Sequence, residues 1–179
     1  MLLESIEKEI MQIPIYQYAT LPVGDIVFSE KVRAICEQEC PMYSKSWSCP
    51  PAVGSVDDCK NRVRKYKYAF LFINVIEVTD LFDMDEMLAT RKTHNQFVYE
   101  LKSIFEKYYP DILTLSSDSC TYCDECTYPS SACSFSQMSM PCIESYGILV
   151  TDLAEKAGID FFNGSNTVTW FGLIFFDVI

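Results

Sequence analysis

The sequence predicts an α+β fold, or a layered α/β variant of it: one mixed sheet flanked by helices, with cysteine-rich loops between the elements. Three features lead there. Two apolar runs, YAFLFINVIEV (68–78) and TVTWFGLIFFDVI (167–179), are rich in branched and aromatic residues and read as strands covered on both faces. Residues 84–108 repeat apolar side chains near the helical period. The cysteine-dense segments fall between these elements, as loops mounted on a sheet.

Taken in order, residues 2–13 predict a short amphipathic helix with Leu3, Ile6, Ile10 and Ile13 on one face, ended by Pro14. Residues 15–28 read as extended and irregular, interrupted by Pro22 and Gly24. VRAICEQEC supplies one or two helical turns and runs into the loop PMYSKSWSCPPAVGS. Ser55 or Asp57 can cap a short helix through Tyr66. After the first apolar run, Asp83 caps the helix over 84–108, and Pro110 stops it. ILTLS (112–116) is a short strand, and a helix over 143–157 ends at Gly158.

A chain of 179 residues, 49% hydrophobic, fits one domain over 1–179 that buries its own core. Its formal net charge of -11 repels nucleic acid and anionic membranes, and suits a basic protein partner or plain solubility. MLLESIEKEI lacks a basic signal-peptide start, and no apolar run is long enough to cross a bilayer. The expected location is therefore the cytoplasm, where thiols stay reduced and an odd count of nine cysteines points to metal or catalysis rather than disulfides.

CTYCDECTYPSSAC places Cys120, Cys123 and Cys126 at every third residue, with Cys133 following a turn at Pro129. Four thiolates on one tight loop suit the corners of a 4Fe–4S cluster. Zinc is the alternative, although its structural sites usually take ligands as two separated pairs; C-x-x-C redox chemistry is another. Cys36, Cys40, Cys49 and Cys59 form a second, looser set. Cys36 and Cys40 lie one helical turn apart, and Pro50 and Pro51 after Cys49 predict an extended, rigid exit. Cys59 falls in a helix and is the weakest member, nearly as well explained by burial. Cys142 reads as a core residue ahead of a helix, with replacement of Cys59 or Cys133 as the other option. His94 sits near the apolar stripe of its helix and reads as a core histidine rather than a ligand. Tyr43, Lys45 and Trp47 crowd the first loop, where they can exclude water and offset negative charge.

There is no Gly-rich phosphate loop, no G-x-S-x-G and no histidine–carboxylate set for hydrolysis. Any catalysis must run through the metal.

VRAICEQECPMYSKSWSCPP, CTYCDECTYPSSAC and ESYGI, in that order, resemble the DUF2284 family of predicted metal-binding proteins, found largely in anaerobic bacteria and archaea. The resemblance runs from about Val32 to the C-terminus. It implies metal or iron–sulfur binding by Cys36, Cys40 and Cys49 in the first loop and by Cys120, Cys123, Cys126 and Cys133 in the second. Cys59 is similar to a cysteine often found just after the CPP loop. Two departures stand out: Ser134 stands where relatives tend to carry Arg, and Cys142 where they tend to carry Ser.

The expected function is therefore electron transfer by a protein carrying one or two 4Fe–4S clusters and serving a redox partner. Two alternatives belong to other classes: a structural zinc or interaction module, and a cluster enzyme with an open iron site at the first loop.

Overall fold

The computed structural model describes residues 4–177. Leu3 and the last two residues of the second apolar run lie outside the described residues. Those described form α1 (Glu4–Ile10), β1 (Gln17–Pro22), α2 (Glu30–Gln38), α3 (Val56–Val63), β2 (Tyr68–Glu77), α4 (Met84–Tyr108), β3 (Ile112–Leu115), α5 (Val150–Ala157) and β4 (Thr167–Phe176). The strands form one sheet in the order β1-β2-β4-β3. The α+β class therefore stands. Every strand pair is antiparallel, where a mixed sheet was expected. Strands covered on both faces read as continuous apolar runs, and such runs carry no sign of strand direction.

The period of two along β2 divides its side chains between two cores. Phe70 and Phe72, with Ile174 and Phe176 of β4, pack under α1 and α4 against Ile6, Ile10, Val98, Leu101 and Phe105. Ala69, Leu71 and Ile73, with Phe171, Leu173 and Phe175, face the opposite way towards α3 and α5. Gly172 pairs with Phe72 across the two central strands. A Cβ on Gly172 would lie 2.1 Å from the Phe72 ring, so only glycine lets the ring lie over the neighbouring backbone. β1 was expected only as irregular extended chain. It buries a single side chain, Leu21, and so shows no alternation that would mark a strand.

Local chemistry sets the helix boundaries. Ser55 and Asp58 form a reciprocal capping box on α3. The Asp83 carboxylate accepts from the Asp85 and Glu86 amides at the start of α4. The helix expected over 143–157 is shorter: α5 begins at Val150, and Glu144–Tyr146 form a separate 3-10 turn. Gly147 divides the two at φ 74°, where an added Cβ would stand 3.0 Å from a Val56 methyl. α1 likewise ends at Ile10, before Pro14, though Ile13 remains buried. After Cys49 the chain turns instead of extending. The Pro50–Pro51 peptide is cis, Val53 N–H donates to Cys49 O at 3.3 Å, and Gly54 N–H donates to Pro51 O at 2.9 Å.

One mismatch in strand length positions the site. β2 accompanies β4 over all ten residues, whereas β3 pairs only with Leu173–Phe176. The first half of β4 would otherwise present an unpaired edge on the β3 side. Residues after β3 cover part of that notch, at Phe171. Ser117 Oγ accepts from Phe171 N–H at 2.9 Å and donates to Phe171 O at 2.8 Å. The long loop that follows is thus pinned to the sheet where it leaves β3.

Candidate metal centres

The loop from Cys120 to Cys133 rests on α4 and on the first cysteine loop. Arg91, Asn95 and Tyr99 recur every fourth residue, so they share one helix face. Arg91 pairs with Asp118. Asn95 donates to Thr121 Oγ1 at 2.8 Å and accepts from Ser116 Oγ at 2.7 Å. Tyr99 donates to Met138 O at 2.9 Å, and its ring meets Tyr122 edge-on. From the other side, Trp47 Nε1–H donates to Ser131 O at 3.1 Å, and its ring packs edge-on against Tyr128. The Tyr128–Pro129 peptide is cis within the turn expected at Pro129.

These contacts enclose a cavity of about 520 Å3 lined by Cys120, Cys123, Cys126 and Cys133 from one loop, and by Lys45 and Trp47 from the other. We call it the outer cavity: Cys123 is exposed and the other three thiols are half-buried. Burial pushes the Cys126 thiol up, but the Tyr128 and Trp47 amides and the Ser46 hydroxyl outweigh it and hold the thiol below its ordinary value. Cys123 is raised, first by desolvation and then by Cys120, Cys133 and Cys126, whose negative charge it would share.

A second, inner cavity of about 370 Å3 lies in the notch beside β4, lined by Cys36, Cys40, Cys49 and Cys142 together with Asp118 and Trp170. Cys36, Cys49 and Cys142 are buried. Burial raises all three thiols, that of Cys49 to about 11, so each stays neutral and a metal bound there would have to displace its proton. Burial also raises the Glu144 carboxyl on the same wall.

Two buried serines join the cavities. Ser48 Oγ accepts from Cys120 N–H at 2.9 Å, lies 2.9 Å from Ser46 Oγ and stands 3.8 Å from Cys49 Sγ. The two cysteine loops are therefore neighbours, a relation that spacing alone left open. Ser46 and Ser48 were not singled out from the sequence. Their alternation in YSKSWSC beside Cys49 is the one signal that could have marked them.

The structure does not bring Cys59 to the inner cavity. α3 turns it into the core, fully buried, where Cys59 Sγ donates to Val53 O at 3.5 Å. It also accepts from Arg62 at 3.3 Å and from Arg33 at 3.6 Å. Cys142, expected as a core residue, is buried but opens onto the inner cavity. His94 reaches neither cavity. It is fully buried, with Asn74 Oδ1 2.9 Å and Phe171 O 3.1 Å from its ring nitrogens, and burial lowers it to about 4, which keeps it neutral.

Among the described residues, no three His, Cys, Asp or Glu side chains converge on a point that would hold a single metal ion. The thiols stand instead around two partly open cavities, and thiolate is the soft donor that takes zinc, copper(I) and iron–sulfur clusters. Among the described residues, no helix is long and apolar enough to cross a membrane.

No curated protein and no solved structure matches the chain. The sequence profile of the DUF2284 family, described as a predicted metal-binding protein, matches residues 19–176, from within β1 to the last residue of β4 and across both cysteine loops. The chain belongs to the DUF2284 family of predicted metal-binding proteins.

Proposed function

We propose that this is an iron–sulfur protein that passes electrons, with a 4Fe–4S cluster in the outer cavity, a second one in the inner cavity and a basic protein as redox partner. One observation carries the reading: four thiols from a single loop line one cavity of about 520 Å3, large enough for a multi-atom core rather than one ion. A 4Fe–4S cluster bound there would accept and release one electron at a time.

The protein's own residues suit that task. Cys120, Cys123, Cys126 and Cys133 would hold the outer centre; Cys36, Cys40 and Cys49 would contribute to the inner one. The amides and hydroxyl directed at Cys126 stabilise its anion and would tune the potential of anything bound to it. Trp47, Tyr128 and Tyr122 shield the outer cavity from water, and Lys45 supplies a compensating positive charge. Ser48 offers a short polar link between the two sets of thiols. At the exposed rim, Asp124 and Glu125 lie between Cys123 and Cys126, where a basic partner would meet the closest approach to the cluster.

Anaerobically purified protein should be brown, contain iron and acid-labile sulfide, and lose visible absorbance on adding dithionite. A colourless protein with stoichiometric zinc and no labile sulfide would overturn the proposal.

A further inference from the structure

We infer that the inner centre is a closed four-thiolate site in which Cys142, and not Cys59, is the fourth ligand beside Cys36, Cys40 and Cys49; this rests on the iron–sulfur reading above. Three independent parts of the chain supply the donors. α2 and the turn after it present Cys36 and Cys40 one helical turn apart. The first loop brings Cys49, together with Tyr43, to the cavity wall. Cys142 arrives from the far side of the outer loop, more than a hundred residues beyond Cys36 in sequence.

Its position is fixed by backbone rather than by its own side chain. Cys142 pairs with Ser116 in an isolated parallel bridge. Ser116 N–H donates to Pro141 O at 2.9 Å, and Ile143 N–H donates to Ser116 O at 3.0 Å. The chain then folds into the 3-10 turn, which directs Ser145 N–H at Cys142 Sγ at 3.2 Å. An amide donor aimed at a buried sulfur stabilises the thiolate form and is the kind of outer contact that orients a metal ligand. Cys59 has the opposite surroundings. Its sulfur already has two guanidinium donors and a carbonyl acceptor, Val53 O, and faces the core between α3 and the sheet. Binding iron there would mean breaking these contacts and turning α3.

A cluster bound there would take one thiolate from each of the four cysteines, with their protons released to water. No corner then remains for substrate or water, so the inner centre is a relay rather than a catalytic iron.

The test compares iron and labile sulfide per chain in anaerobically reconstituted wild type, Cys142→Ala, Cys142→Ser, Cys59→Ala and Cys123→Ala. Cys142→Ala and Cys123→Ala should each lose about half of the iron, from different centres distinguishable by electron paramagnetic resonance, while Cys59→Ala keeps all of it. Thiol alkylation of the wild type with peptide mapping covers the case of a misfolded variant. Cys142 should be protected in the loaded protein and become labelled after iron is chelated, whereas Cys59 should change little. Unchanged iron in Cys142→Ala, or a halving in Cys59→Ala, would overturn this assignment while leaving the outer cluster standing. Labelling of Cys142 in the loaded protein would also overturn it. A wild type free of iron and sulfide would instead remove the proposed function itself.

Discussion

In the outer cavity the thiols come from one short loop and reach solvent at Cys123; in the inner one they come from segments far apart in sequence, and three of the four are buried. Electrostatics follow the same division. Amides and a hydroxyl pull the Cys126 thiol below its ordinary value, whereas burial pushes Cys36, Cys49 and Cys142 upward. The outer site takes its four thiols from a single loop, which α4 and the first cysteine loop hold in place. A site made at the edge of β4 exists only when the sheet, α2 and the turn before α5 are all in place. On the proposed reading, the outer centre would exchange electrons and the inner one would store or relay them.

Removing an outer ligand gives the largest expected effect. Cys126→Ala should lose about half of the iron, as loss of one of two four-iron clusters requires. The inner spectrum should remain, and electron transfer to an external acceptor should fall at least tenfold because the exposed terminus of the path is gone. If transfer persists at the wild-type rate, electrons leave by another face and the division of roles fails.

The same contrast explains what could be read from the sequence. The C-x-x-C-x-x-C triplet is local, and the four thiols that line the outer cavity lie within one quoted stretch. The long helix was legible to both ends because Asp83 caps a periodic apolar face and Pro110 stops it. Strand direction was not legible, and β1, with only Leu21 buried, gave no alternation. From sequence, the family resemblance favoured Cys59 as a ligand and Cys142 read as a core residue, although each lies in or beside an expected helix. What separates them is tertiary: Arg33 and Arg62 close around one, and the Ser116 bridge turns the other into the notch beside β4. Gly147 mattered here too. Taken as helix interior, it hides the turn that carries Ser145 to Cys142; at φ 74° it creates that turn.

Ser48 tests whether the two regions are as separate as their origins. Its hydroxyl is fully buried and satisfies the Cys120 amide while standing beside Cys49. Ser48→Ala leaves that amide without its partner, at a cost of about 1–3 kcal/mol. Chemical denaturation should show that loss. Potentiometry should show both centres shifting, the outer one more because its ligand loses the direct bond. A shift confined to the inner centre would mean that Ser48 does not connect them.

The smallest effect belongs to the rim. Asp124 and Glu125 carry their charge in water, so their attraction for a partner is screened within roughly 8 Å at physiological ionic strength. Replacing both by Asn and Gln should leave iron content and stability unchanged. It should slow association with a small basic haem protein, used as an electron acceptor in stopped-flow measurements, by a few-fold at low salt and hardly at all at high salt. The salt dependence is the discriminating part. Exposed charges that steer an encounter act on the association rate and fade as ions are added, whereas a change in the cluster would slow transfer equally at every ionic strength. Equal slowing at all salt concentrations would move these carboxylates from the docking rim into the electronic environment of Cys123. The sharp line drawn between an outer region that meets the partner and an inner region that does not would then have to be redrawn around charge rather than exposure.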